Sequence, residues 1–340
     1  MSGNLELVKS TPPADEIAAK LHSHMVGKTV VITGVSPSGI GQEAARVVAA
    51  HQPKLLLLAS RNPKAVSEVI ADIKARAEKA GQKDLAVEAV TLDLGDLKSV
   101  RAAAAAVLAR TPVVDVLINN AAIMMLPTLE TMPDAQGSTV ERQFGTNHLG
   151  HFLFTNLLMP ALRRSQAAHG GARIVNVTSS GYVGSPVVAL DDPSLLTDTP
   201  ANREAYDGFK AYAQSKTATI LFTLGLTQRL ANKNVLAFSL NPGAVGTTNL
   251  SRTVPKGVLQ SLGWLLESGE INPDMPFYST QQAVSNYLEA AYEPDMEKHN
   301  GAFIAYCTFV DDVLPYAKDP VSADKLWALS EKLVGEKFQY

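Results

Sequence analysis

Residues Lys28 to Ala50 read KTVVITGVSPSGIGQEAARVVAA, and the fold is decided there. Val30, Val31 and Ile32 form a short β-branched apolar run, Gly34, Gly39 and Gly41 follow, and a helical pattern begins at Ile40. The order is strand, glycine turn, helix. Glycine has no Cβ, so backbone in such a turn comes close to a bulky anion, and the free N–H groups and dipole of the helix start favour phosphate. The stretch thus offers a dinucleotide pyrophosphate site, while the same turn also serves plain tight packing of helix on strand. Four residues separate Gly34 from Gly39, a departure from the G-x-G-x-x-G spacing, so the rest of the chain decides.

Outward from this unit, strands and helices alternate. Lys54 to Ser60 reads as a second strand ending in Ser60-Arg61-Asn62, with a helix from Pro63 to Ala80 behind it. Ala86 to Leu92 reads as a third strand ending in Asp93-Leu94, and Asp96 caps an alanine-rich helix to Arg110. Val113 to Ile118 is the fourth strand, ending in Asn119-Asn120-Ala121-Ala122. Helices from Phe144 to Leu162 and Tyr206 to Leu230 bracket a fifth strand, Arg173 to Thr178, which runs into Ser179-Ser180-Gly181. Asn234 to Leu240 is the sixth, closed by Asn241-Pro242-Gly243. Small or polar clusters end every strand. Alternation of this kind implies a parallel sheet covered on both faces, with ligands bound beyond the carboxyl ends of the strands.

Before the opening unit, Pro12-Pro13, Asp15 and the helical spacing of Ile17, Leu21 and Met25 suggest an extension packed on the domain edge. After Gly243, the stretch Val254 to Pro276 carries Val258, Leu259, Leu262, Trp264, Leu265 and Leu266 broken by glycine and proline; it suits an apolar lid and equally a buried interface helix. Thr280 to Tyr292 reads as a helix, Ala302 to Tyr306 as a final strand, and Ser322 to Val334 as a closing helix. With no repeat or low-complexity linker, one domain is expected over residues 1–340: an extension (1–27), a cofactor-binding and catalytic core (28–248), and a lid with the C-terminal region (249–340).

The chain is 46% hydrophobic and 19% charged over 340 residues, which suits a globular protein with a large core. A formal net charge of −3 supplies no basic field for nucleic acid or an anionic membrane. The single cysteine, Cys307, excludes an internal disulfide and a cysteine-rich metal site. No apolar run reaches the length that spans a bilayer, Lys54 to Ala59 is strand-sized, and MSGNLELVKS lacks the basic start and long apolar core of a secretory signal. The expected location is cytoplasmic, with no integral membrane segment and no metal.

Tyr212 and Lys216 lie four residues apart and share a helix face. An ammonium beside a phenol stabilises the phenolate and lowers its pKa from about 10 toward working pH, which makes tyrosine a usable acid and base. Alone, such a pair is an ordinary surface contact. Here it accompanies Thr33-Gly34, Gly39-Ile40-Gly41, Asp93-Leu94, Asn119-Asn120-Ala121, Asn147 within Phe144 to Gly150, Ser179 and Pro242-Gly243. Together these pieces, in this order, resemble the short-chain dehydrogenase/reductase superfamily. Ala323-Asp324-Lys325-Leu326-Trp327 is similar to its retinol-dehydrogenase-like branch and fungal relatives.

The resemblance implies an α/β, Rossmann-type doubly wound parallel sheet of about seven strands flanked by helices on both faces. It implies that Tyr212 exchanges the proton with a substrate carbonyl or alcohol oxygen, that Ser179 (or its neighbour Ser180) hydrogen-bonds that oxygen, that Lys216 holds the nicotinamide ribose and lowers the tyrosine pKa, and that Asn147 anchors a water of the proton relay. Gly34, Ser36, Ser38, Gly39, Ile40 and Gly41 would line the phosphates, Asp93 and Leu94 the adenine, Asn120 and Ala121 the ribose side, and Pro242, Gly243, Val245 and Thr247 the nicotinamide end. Where an NAD enzyme would place a carboxylate against the adenosine ribose, this chain has Ser60 and Arg61, and arginine matches a 2′-phosphate; NADP(H) is expected, though Arg61 also suits stacking on the adenine.

Three departures stand out: the extra residue in the glycine turn, N-N-A-A for N-N-A-G, and the long segment between Ser179 and Tyr212. Met124 and Met125 suit either core packing or a pocket wall, and His148, with no visible partner, is expected to pack. The expected activity is NADP(H)-dependent reduction of a medium-sized apolar ketone or aldehyde, or oxidation of the corresponding alcohol. A non-catalytic NADP-binding sensor or scaffold and a C=C reductase or epimerase are the alternatives. A homo-oligomer fits the resemblance, while the extended tail would obstruct the usual helix pairing.

Overall fold

The structure, a computed structural model, describes residues 5–231 and 234–340; the first four residues of the stretch read for a secretory signal lie outside the described residues. Helices α1 (Leu5–Ser10) and α2 (Ala14–Met25) precede β1 (Thr29–Thr33), and then α3 (Ile40–Ala50), β2 (Leu55–Ser60), α4 (Pro63–Lys79), β3 (Val87–Thr91), α5 (Leu97–Arg110) and β4 (Val116–Asn119) alternate. A hairpin of β5 (Thr131–Pro133) and β6 (Thr139–Glu141) leads through α6 (Arg142–Phe144) and a π-helical turn (Gly145–Leu149) into α7 (Gly150–His169). There follow β7 (Ala172–Val177), α8 (Pro200–Glu204), α9 (Gly208–Arg229), β8 (Val235–Leu240), α10 (Lys256–Ser261), α11 (Thr280–Tyr292), β9 (Phe303–Ala305), β10 (Thr308–Phe309) and α12 (Pro320–Val334).

The main sheet runs β10-β9-β8-β7-β4-β1-β2-β3, parallel throughout except for the β9–β10 pair. Among the described residues it has eight strands rather than about seven, because two residues of β10 fold back on β9. Strand order reverses between β1 and β4, and the crevice at that switch point is where an open α/β sheet binds its ligand.

Both sheet faces are buried, so β1 and β2 carry unbroken apolar runs whose alternate residues serve opposite layers. Val30, Ile32, Leu56 and Leu58 pack with residues of α2, α3, α4 and α11. Val31 and Leu57 face the other way, into a cluster built with α5, α7, α9 and α12.

Local chemistry moved several boundaries. Asp96 caps α5 as expected, accepting from the Lys98 N–H. Asp207 caps α9 by accepting from Phe209 and Lys210, so that helix starts at Gly208; Tyr206 stays outside it and donates its hydroxyl to Glu141. Asp319 does the same for α12, which begins at Pro320 rather than Ser322. The helix expected from Phe144 to Leu162 extends to His169 and is interrupted by the π-helical turn. Among the described residues no helix is long and apolar enough to cross a membrane.

Candidate active site

At the switch point a cleft of about 430 Å³ runs from Ser60 and Arg61, past the glycine turn, to Tyr212 and Trp264. Its floor is a close approach of two backbones. Gly34 has φ +74°, and a Cβ there would lie 2.5 Å from Ala121 Cα. One on Gly41 would lie 2.7 Å from Gly34 O and 2.8 Å from Asn120 Nδ2. Asn120 locks the corner: its amide donates to Thr33 O (2.8 Å) and Gly34 O (3.2 Å), and its Oδ1 accepts from Tyr287 on α11 (2.8 Å). The Thr33 hydroxyl accepts from the N–H groups of Asn120 (2.9 Å) and Ala121 (3.1 Å). Gly39 is the N-cap of α3 and has no side chain to consume the helix's first N–H groups, so this is a cradle that suits phosphate.

The cleft brings together Gly34, Ser36, Gly39, Ile40 and Gly41 with Ser60, Arg61, Leu94, Asn120, Ala121, Pro242, Gly243 and Val245. Arg61 is exposed and has no ion-pair partner among the described residues. Three expected residues lie off the wall. Ser38 is exposed, with its N–H on Gln42 Oε1; the Asp93 carboxylate turns back to the Gly95 N–H; and Thr247 is exposed while Thr248 lines the cleft in its place.

At the other end, α9 carries Tyr212 and Lys216, both buried, with the Lys216 Nζ 5.7 Å from the Tyr212 ring centroid. Ser179 and Ser180 both line the cleft, and the Ser179 hydroxyl is the one that favours ionisation of the phenol. The sequence led us to expect a lowered phenol pKa. The structure reverses the direction: burial pushes Tyr212 up to about 12, against a smaller opposing pull from the Ser179 hydroxyl. Lys216 donates to Val177 O (2.9 Å) rather than to the phenol, and burial pushes its ammonium down to about 7.

Asn147 sits on the π-helical turn, with its amide bonded to two neighbours. Oδ1 accepts from Ile123 N, while Nδ2 donates to Ile123 O and Ser215 Oγ, all at 2.9 Å. The side chain braces the loop after β4, whose Ile123 and Met124 form cleft wall. Above Tyr212, the residues Met124, Met125, Val254 and Leu259 close an apolar cluster, with Phe209, Leu250, Trp264 and Leu265 against it. Of the two readings of the 254–276 stretch, cover over the site is the one its packing matches. His148 packs as expected, buried among Phe144, Phe152 and Phe222 with Nε2 on Ser330 Oγ (2.7 Å).

Sequence reasoning missed Tyr287, Thr248 and the Thr33 hydroxyl. Thr33 was signalled by its place before Gly34, and Thr248 stands one position from the residue chosen. Nothing in the sequence links Tyr287 to Asn120, 167 residues away.

A dinucleotide cradle, a long crevice and a half-buried Ser179 beside the buried Tyr212 and Lys216, beneath apolar cover, define a nicotinamide-type oxidoreductase scaffold. Comparison with known proteins gives the family. The model described as short chain dehydrogenase matches residues 28–189. Retinol dehydrogenase 12 of Mus musculus is 33% identical over 317 residues, covering 92% of this chain and 88% of its own. Among solved structures, an uncharacterized protein from Mycobacterium paratuberculosis has a TM-score of 0.63 at 30% identity, covering 93% of this chain and 96% of its own. NADPH-bound carbonyl reductase from chicken fatty liver shares the fold, with a TM-score of 0.55 at 21% identity over 83% of this chain and 95% of its own. The chain belongs to the short-chain dehydrogenase/reductase family, as a retinol-dehydrogenase-like oxidoreductase of a family that binds nicotinamide cofactors.

Proposed function

We propose that this single-domain chain is a cytoplasmic NADP(H)-dependent oxidoreductase that reduces a medium-sized apolar ketone or aldehyde. The observation that carries the reading is the packing of Met124, Leu250, Val254, Leu259 and Trp264 with the Tyr212 phenol, in a cleft that Ser179 also lines. The glycine turn would hold the phosphates, Ser60 and Arg61 the 2′-phosphate, and Leu94 the adenine. Val245, Thr248 and Lys216 would hold the nicotinamide half. A nicotinamide bound there supplies or takes up the hydride.

Tyr212 holds the proton. With burial pushing it up to about 12, the phenol is protonated at neutral pH, the form that donates to a developing alkoxide. Ser179 orients the substrate oxygen toward the phenol. The apolar cover excludes water and selects against charged substrates, and Asn147 fixes the wall opposite through Ile123. Reduction is the direction this protonation state favours.

The test is oxidation of NADPH and NADH, followed by nicotinamide absorbance, against ketones and aldehydes of graded size. Tyr212→Phe keeps the ring and removes the donor, so turnover is expected to fall about 10²–10⁴-fold. Turnover equal to that of the unchanged protein overturns the assignment.

A further inference from the structure

His151 lies one helical turn after Asn147, 4% exposed, and takes no part in the acid–base scheme above. Its Nδ1 is 3.0 Å from the carbonyl oxygen of Asn147, and its Nε2 is 2.9 Å from the hydroxyl of Thr33 at the end of β1. A carbonyl oxygen only accepts, so Nδ1 carries the proton. A neutral imidazole then has only an acceptor at Nε2, and the Thr33 hydroxyl donates into it.

That direction leaves both lone pairs of the Thr33 oxygen to the Asn120 and Ala121 N–H groups, 2.9 and 3.1 Å away. With the proton on Nε2 instead, three donors would crowd one oxygen, and the hydroxyl would be left with Ile118 O at 3.4 Å, a poor bond. The surroundings keep the ring neutral: burial dominates and the nearby Lys216 charge adds to it, against the Asn147 carbonyl, pushing His151 down to about 4.

One imidazole therefore joins two walls of the cleft. At one end is the Asn147 backbone, whose side chain braces Ile123. At the other is Thr33, which holds Ala121 at the point where it closes on Gly34. We propose that His151, as the neutral Nδ1–H tautomer, is a positioning residue for the dinucleotide site, fixing the Thr33 hydroxyl as donor to the ring and acceptor for two backbone amides. The inference rests on the reading of the cleft as a nicotinamide dinucleotide site.

Two measurements test it. In ¹⁵N NMR of histidine-labelled protein, with His151→Gln identifying the resonance, the ring is expected to show a protonated Nδ1 and a bare Nε2 across neutral pH. A charged ring or an Nε2–H tautomer overturns the proposal. NADPH binding, followed by fluorescence, is then compared for His151→Leu, His151→Gln, Thr33→Val and the Leu/Val double variant. Glutamine carries a carbonyl to about the Nε2 position, so His151→Gln should stay within about threefold of the unchanged protein, while His151→Leu and Thr33→Val each weaken binding about tenfold.

The double variant should be no weaker than Thr33→Val alone, because the imidazole acts through that hydroxyl. A lowered melting temperature with unchanged NADPH affinity marks a merely structural histidine and overturns the proposal. Should His151→Leu fail to fold, His151→Asn supplies the contrast with His151→Gln, its side chain being too short to reach Thr33. Failure of the unchanged protein to bind NADPH or NADH defeats the cofactor reading and the positioning role with it. Binding that is intact and equal in all His151 variants defeats the positioning role alone.

Discussion

Arg61 is the residue on which cofactor choice turns. It follows β2 directly, precedes Asn62, the N-cap of α4, and faces the cleft end with an exposed guanidinium. On the proposed reading, a 2′-phosphate there gains a bidentate charge-assisted partner, and NADH, which lacks the phosphate, gains little. Arg61→Ala is expected to weaken NADPH about tenfold or more and leave NADH nearly unchanged, as measured by KM for each. An equal loss for both would mean that Arg61 stacks on the adenine common to them. At this scale the sequence was legible where chemistry depends on spacing, as for Tyr212 and Lys216, because a helix turns a four-residue interval into one face. It was illegible where chemistry depends on burial. The raised pKa of Tyr212 comes from residues such as Met124, Val254 and Leu259, far away in the chain, and no local pattern reports them.

Among the elements, α7 has a tight requirement at its start. A Cβ on Gly150, at its first turn, would lie 2.4 Å from Leu94 O and 2.8 Å from Leu94 Cβ, so α7 presses on the turn that brings Leu94 into the cleft. Backbone cannot step aside as a flexible side chain does. Gly150→Ala is expected to cost about 1–3 kcal/mol in urea unfolding, and Gly257→Ala on α10, where nothing among the described residues lies within 4 Å of an added Cβ, to be neutral or slightly stabilising. Equal stability of the two variants would show that the α7 contact yields freely. The long alternating elements were readable because apolar runs and caps mark them. The β5–β6 hairpin was not, since strands of three residues are too short to show a period, and a π-helical turn leaves no distinct spacing in sequence. That turn carries Asn147, which is why the residue was found by resemblance while its bonds to Ile123 were not.

Across the whole molecule, α12 and the C-terminal segment seal the layer formed by α7 and α9. Trp327 meets Phe152 at 4.9 Å and Phe222 at 6.0 Å between ring centroids, and Arg229 stacks over its ring at 4.2 Å. This closure buries His148, whose Nε2 pairs with Ser330 of α12 and whose Nδ1 has no partner among the described residues. Burial, with a smaller contribution from His151, pushes His148 down to about 3, against about 6.5 in an unfolded chain. Above pH 6.5 both states are neutral there. As pH falls through that value the unfolded chain takes up a proton that the folded chain refuses, so the stability tied to His148 declines until the folded pKa is reached. The net slope mixes in opposing groups: burial raises Glu289 to about 7 and raises Glu141, and both take protons in the folded state first. A single substitution separates the histidine from them. His148→Leu leaves Ser330 bonded to Leu326 O (2.8 Å) and removes only the titrating ring. Its stability relative to the unchanged protein, from urea unfolding, should improve by about 2 kcal/mol between pH 8 and pH 5. A gap that stays constant over that range would mean that the folded layer admits a charged imidazole, and that α12 does not keep it dry.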